Sequence, residues 1–453
     1  MRVVVVGGGL AGLTAAHLLG QRGDEVSVLE GAEAPGGKLR RIEVGGVVVD
    51  VGAEAMLNRR PEGVDLAREL GLDVVHPAVQ SSRVWTRGAL RPLPRSVMGV
   101  PVDLAELRAS GVLSTKGLAR VEAEQPGVPV EGDISVGELV ASRLGDEVVD
   151  RLVEPLLGGV YAGHAHRLSA RATVPQLVSL ASHGPLLEAT LHVSDVPASD
   201  VPVFAGLPGG LAGLTDALAS RVPVRTGATV RELRRTESGF VVVTGPTTGP
   251  ELVEADAVVL ATPAAPTARL LSGVAPVAAA ELADVDYASV VVVTLAFDAA
   301  EVSRRSQSDL LNHQSSGFLV PPVDGRAIKA STFSFAKWGW VGTAGAEQGL
   351  VHLRTSLGRH GEEATLQRTD DELVSASLAD LADAVGLTAA PVDSHVQRWG
   401  GGLPQYAVGH LDRVTRIRDA VAAVPGLAVC GAAYDGVGIP AVIASARRAV
   451  TDL

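Results

Sequence analysis

The sequence predicts an α/β fold. A parallel sheet is wound from widely separated segments, a second sheet is largely antiparallel, and a helix-rich insert lies between. Three observations point there. Arg2-Val-Val-Val-Val-Gly7-Gly8-Gly9-Leu10-Ala11-Gly12 sets four valines before glycines at 7, 9 and 12. Ala257-Val-Val-Leu-Ala-Thr262-Pro263 reads as a second apolar strand followed by a Pro-started helix. Gly426-Leu-Ala-Val-Cys430-Gly431 gives a third strand ending in glycine. A run of valines suits a strand buried on both faces, as parallel sheets require.

The opening turn carries the chemistry. Gly7, Gly9 and Gly12 have G-x-G-x-x-G spacing, and Leu13, Ala16, Leu18 and Leu19 continue as an apolar helical pattern. Gly7 allows the tight turn, Gly9 lets a pyrophosphate approach the backbone, and Gly12 lets helix and strand pack closely. The phosphates then meet free N–H groups at the positive end of a helix. Asp24 to Leu29 reads as the next strand, and Glu30 ends it eighteen residues after Gly12. An acid there accepts hydrogen bonds from the adenosine ribose hydroxyls.

Two further glycine loops favour FAD over a nicotinamide cofactor. Pro35-Gly36-Gly37-Lys38 follows Glu30, and Asp50-Val-Gly52-Ala53-Glu54 follows a hairpin through Gly45-Gly46. Both offer bare backbone to a long dinucleotide. The first sixty residues resemble amine-oxidase-like flavoproteins, in which the corresponding segments line FAD. That resemblance implies a Rossmann-like FAD-binding domain built from discontinuous segments, with an α+β substrate domain. It implies cofactor contacts from Gly7, Gly8, Gly9, Leu10, Ala11, Gly12, Glu30, Gly36, Gly37, Lys38, Gly52, Ala53, Glu54 and Ala55. Backbone at Val230 is expected to meet the adenine.

The chain in order fills in the rest. Residues 60–72 fit a helix with Pro61 in its first turn and Gly71 closing it. Arg83 to Arg91 alternates around Arg87-Gly88 as a hairpin. From about 103 to 190 the pattern is helical: Ser135-Val-Gly-Glu138 reads as a capping box, and helices are predicted over 146–157 and 171–180. Strands are predicted at 222–224, 228–235 and 240–243, and for the second sheet at 288–297, 317–320, 327–333 and 350–355, with a helix over 370–385. Tyr434-Asp-Gly-Val437-Gly438-Ile439-Pro440 starts the last helix. Its N-terminus is expected at the flavin N1/C2=O region, which brings in Val437, Gly438 and Ile439. The predicted domains are 1–66, 207–271 and 424–453 for FAD, 67–98 and 272–423 for substrate, and 99–206 for the helical insert.

Composition excludes several classes. The formal charge of −12 and the lack of a basic stripe argue against nucleic acid. A single cysteine, Cys430, leaves no intrachain disulfide and no multi-cysteine metal site, which suits a reducing cytoplasm. It precedes the C-terminal loop, so both a covalent flavin link and a buried structural thiol are open. Glycines interrupt the N-terminal apolar run, so no signal peptide is expected. No window reaches the roughly 18–20 apolar residues of a membrane helix.

Two stretches narrow the resemblance. Val153-Glu-Pro-Leu-Leu-Gly-Gly-Val-Tyr-Ala-Gly163 and Arg398-Trp399-Gly-Gly-Gly-Leu-Pro404-Gln405-Tyr406-Ala-Val-Gly409-His410 are similar to signatures of oxygen-dependent porphyrinogen oxidases. With Gly206 to Leu214 and Gly436 to Pro440, the likeness runs nearly the full length. It implies Trp399 against the flavin. Met98 stands where the protoporphyrinogen-specific branch carries arginine, and Val-Met-Gly-Val-Pro101 resembles the branch oxidising coproporphyrinogen III. The implied reaction removes six electrons in three FAD cycles, with O2 reduced to H2O2 and a downstream ferrochelatase as recipient. Aromatisation drives it, so no side chain is assigned as acid or base; Tyr161, Lys337 and His410 are the polar candidates. Arg83, Arg87, Arg91, Arg95, Lys337 and Arg354 are candidates for the substrate propionates. Competing readings are a protoporphyrinogen IX oxidase, an amine or polyene oxidase of this fold, and a non-catalytic flavin or porphyrin carrier.

Overall fold

A computed structural model describes residues 1–124, 132–182, 184–194, 201–305 and 315–453. The stretches 125–131 and 195–200, within the predicted insert, lie outside the described residues.

Five parallel strands form the first sheet, in the order Val224–Arg225, Glu25–Leu29, Arg2–Val6, Ala257–Leu260, Leu427–Val429. The opening valines alternate between its two faces. Val3 and Val5 pack with the helices Leu10–Arg22 and Ile439–Asp452, whereas Val4 and Val6 pack beneath Phe240, Leu271 and Ile417. Both faces are therefore covered, and apolar burial drives the assembly. The three-stranded meander Val230–Arg235, Phe240–Thr244, Glu251–Ala255 lies on the second face.

The other large sheet has seven strands, in the order Asp393–Pro404, Tyr287–Asp298, Leu350–Leu357, Ile328–Thr332, Gly317–Leu319, Arg83–Thr86, Ala89–Pro92. Its pairings are antiparallel except between Gly317–Leu319 and Arg83–Thr86. The predicted hairpin forms its edge, turning through Arg87 (φ 53°) and Gly88 (φ 71°). Helix Asp370–Val385 covers one face through Leu373 and Leu381.

Several local expectations are corrected. Ser135 caps Val136–Leu144 by accepting from Glu138 N at 3.1 Å, but the reciprocal bond from Ser135 N to the Glu138 carboxylate does not form. The complete capping box is Thr369 with Glu372, ahead of Asp370–Val385. The helix predicted over 146–157 runs on to Tyr161, passing Pro155 by a π turn at Val149–Val153. The π turn re-spaces the backbone where proline cannot donate. The helix predicted over 171–180 breaks into Ala170–Thr173 and Pro175–Ala181 at Pro175.

Candidate functional site

The glycine turn joins the first strand to the first helix as the spacing requires. Gly7 has φ +107° and donates to Leu29 O at 2.8 Å. A Cβ on Gly12 would stand 1.9 Å from Gly7 O, so only glycine lets the helix sit this close. Glu30 ties the turn to the second strand: its Oε2 accepts from Gly8 N at 2.6 Å and its Oε1 from Ala32 N at 2.7 Å.

The other predicted segments converge on this turn. Gly36 N donates to Gly8 O at 2.8 Å, and a Cβ on Gly37 would lie 3.1 Å from Gly9 Cα. Ala53 N donates to Lys38 O at 3.3 Å, and a Cβ on Gly52 would be 2.0 Å from that oxygen. Trp399 Nε1 donates to Val51 O at 3.0 Å, which sets the indole edge beside Gly52. Ala228 N bonds Glu30 O at 2.8 Å, which lays the segment leading into Val230 along Glu30–Ala32. From the other end of the chain, a Cβ on Gly431 would be 3.9 Å from Ala11 Cβ. Ile443, Ala446 and Ala449 then bury the last helix against the first.

Gly37, Lys38, Ala53 and Gly438 are exposed, while Leu10, Ala11, Gly12, Gly36 and Ile439 are buried. The result is an open strip of main chain on a packed scaffold. Helices Leu10–Arg22 and Ile439–Asp452 are N-capped by Gly9 and Gly438, and neither has a side-chain cap. Their first-turn N–H groups are thus available to acceptors outside the helix. Bare backbone, two uncapped helix ends and an indole edge fit a dinucleotide with a planar ring. Not every predicted residue turns towards the strip. Val437 packs on the helical insert, and Ala55 packs beside Val44 and Trp338.

Glu54 is also turned inward. Its Oε1 is 2.5 Å from Lys337 Nζ and its Oε2 is 3.2 Å from Arg354 Nε. Burial pushes this carboxyl up, but Arg354 and Lys337 outweigh burial and hold it below the usual carboxylate range. Arg354 also donates to Gly52 O at 2.9 Å, so the cluster braces the 50–55 loop. Asp50 accepts from Leu211 N at 3.0 Å, and burial raises its pKa to about 6.

Five of the six basic candidates already have protein partners. Lys337 and Arg354 neutralise Glu54. Arg87 donates to Leu113 O at 2.5 Å, Arg91 to Thr86 O at 3.2 Å, and Arg95 pairs with Glu106 at 3.0 Å. Arg83 is half-buried in the edge hairpin, and its side chain makes no hydrogen bond or ion pair among the described residues. Of the three polar candidates, Lys337 and His410 are equally committed. His410 stacks on Tyr406 at 4.0 Å, bonds Tyr434 O at 3.0 Å, and is lowered to about 4 by burial. Burial pushes Tyr161 up to about 12, so its phenol stays protonated. Cys430 is wholly buried and likewise pushed up to about 12, which suits a packed thiol rather than a nucleophile. Among the described residues no group of His, Cys, Asp and Glu could hold a metal ion, and no helix is long and apolar enough to cross a membrane.

Comparison with known proteins agrees with this architecture. The family described as "Flavin containing amine oxidoreductase" matches residues 10–453. A protein named coproporphyrinogen III oxidase from Mycobacterium tuberculosis is 38% identical, covering 99% of this chain and 96% of its own. One of the same name from Bacillus subtilis is 30% identical over 99% and 97%. A crystal structure from Exiguobacterium sp. 255-15, provisionally assigned as a protoporphyrinogen oxidase, has a TM-score of 0.86 at 31% identity, covering 99% and 98%. The chain is a flavin-dependent oxidoreductase and belongs to the flavin containing amine oxidoreductase family, in its porphyrinogen-oxidase group.

Proposed function

We propose that the protein is an FAD-dependent oxidase that converts coproporphyrinogen III to coproporphyrin III, with O2 reduced to H2O2. The observation that carries this reading is the end-to-end likeness to proteins named coproporphyrinogen III oxidase. The Gly7–Gly12 turn with Glu30 at the end of the next strand supports FAD in particular, because that pairing suits the pyrophosphate and ribose of a dinucleotide.

In this reading Gly7 to Gly12 and Gly36 to Lys38 hold the pyrophosphate, Glu30 the ribose, and Val230 the adenine. Gly52, Ala53, Trp399 and the main chain of the Val437–Ile439 turn hold the ring. The proposed division is 1–66, 207–271 and 424–453 for FAD, 67–98 and 272–423 for substrate, and 99–206 for the insert. Bound FAD supplies two-electron acceptance from the substrate and return of those electrons to O2. The chain's own residues orient the macrocycle and keep the 50–55 loop rigid through Glu54, Lys337 and Arg354. Aromatisation makes a strong base unnecessary, which agrees with a neutral His410 and a protonated Tyr161. We further place the protein in the cytoplasm, delivering its product to a ferrochelatase.

The likeness to the Exiguobacterium structure favours protoporphyrinogen IX as the second substrate reading. Steady-state rates with both porphyrinogens, followed by porphyrin fluorescence, separate the two. Coproporphyrinogen III is expected to give the higher kcat/KM, and the reverse order would transfer the assignment.

A further inference from the structure

The antiparallel sheet carries a largely buried lysine whose side chain makes no hydrogen bond or ion pair among the described residues. This residue, Lys329, is 6% exposed. Buried charges are normally paired.

A β-bulge places it there. Ile328 pairs with Leu357 and Ala330 with Ser356, so Lys329 is the extra residue between them. Two residues then oppose one, and the extra side chain is re-aimed. Ile328 keeps the apolar face with Leu353 and Leu357. Lys329 and Ala330 share the side of Ser356, which by strand alternation is also the side of Arg354 and the Gly52 carbonyl.

A second buried cation stands beside it. Arg359 is 4% exposed; its Nη2 donates to Val320 O at 3.1 Å, and Glu362 lies 3.9 Å from its Nη1. Val320 N in turn donates to Lys329 O at 2.9 Å, so one residue anchors both. Burial, reinforced by the charge of Arg359 and opposed by that of Glu362, lowers Lys329 to about 7. From the helical insert, Glu154 faces Arg359 but spends its Oε1 on Ala165 N at 2.8 Å, and its buried Oε2 has no partner.

We propose that Lys329 and Arg359 form the seat for one propionate carboxylate of the porphyrinogen, a reading that rests on the substrate class proposed above. The seat recognises the carboxylate as a charge and leaves the electron transfer to the flavin.

The test uses the flavin-loaded enzyme and its Lys329→Met variant, with coproporphyrinogen III and its uncharged tetramethyl ester as substrates. Loss of a charge-assisted hydrogen bond raises KM for the tetra-acid about ten- to a hundredfold, with little change for the ester; Lys329→Arg recovers most of it. Flavin absorbance and Tm verify folding, and Met in place of an unpaired buried ammonium is expected to hold or raise Tm. Equal KM values for wild type and a folded Lys329→Met overturn the proposal. So does an equal loss on both substrates. Wild-type inactivity towards coproporphyrinogen III would instead refute the substrate reading itself.

Discussion

The main-chain N–H of Gly8 donates to Glu30 Oε2 at 2.6 Å, fastening the glycine turn to the acid that ends the second strand. Ala32 N occupies the other oxygen at 2.7 Å. Glu30 therefore shapes the turn through both carboxylate oxygens. Glu30→Ala leaves both N–H groups without their acceptor and is expected to weaken flavin binding about ten- to a hundredfold. Flavin titration of the stripped protein measures this, and an unchanged Kd would contradict it.

Gly12 faces backbone, not a yielding side chain. A Cβ there would stand 1.9 Å from Gly7 O, so helix and strand must part to admit it. Gly12→Ala is expected to emerge without visible flavin absorbance, whereas Gly20→Ala, with open space at its Cβ, keeps it.

Much of this was legible in the sequence because the signals are local. The four valines, the G-x-G-x-x-G spacing, Glu30 and the Arg87-Gly88 turn each act through residues within a few positions or one βαβ unit. The strand Asp393–Pro404 was not legible. Gly400, Gly401, Gly402 and Pro404 disfavour strand, yet pairing with Tyr287–Asp298 holds it. The fate of Lys337 was also hidden, since Glu54 is 283 residues away in sequence. Lys329 carried a faint signal, one charge inside Ala327-Ile-Lys-Ala-Ser-Thr, but the bulge that aims it depends on the register with Leu357 and Ser356.

Breaking the inward cluster should be costly. Glu54→Leu leaves Lys337 and Arg354 without their carboxylate and is expected to destabilise the protein by about 3–5 kcal/mol. Glu54→Leu with Lys337→Met should recover part of that loss. Denaturant unfolding of the singles and the double gives the coupling; simple additivity would show that the pair is not a unit.

Asp50 makes stability pH-dependent with a definite sign. Burial raises its folded pKa to about 6 from an ordinary 3.8, so the folded state holds the proton more tightly. The penalty for ionising it is absent below the unfolded pKa, grows as pH rises through the folded pKa, and is complete above it. Two units correspond to about 3 kcal/mol. Asp50→Asn is therefore expected to raise Tm at pH 7.5 and to lose that advantage near pH 4. A gain independent of pH would contradict this.

Burial of Cys430, which pushes its thiol up to about 12, argues against a thioether to the flavin. Acid precipitation should release all of the yellow colour into the supernatant; colour retained in the pellet would assign a covalent link.

The most direct test of the account is anaerobic addition of coproporphyrinogen III to the purified flavoprotein. The account predicts loss of the oxidised flavin absorbance, its return on admitting O2, and three H2O2 for each coproporphyrin formed, since six electrons leave in pairs. Flavin that stays oxidised in the presence of the porphyrinogen, with bleaching by a simple amine instead, would contradict it.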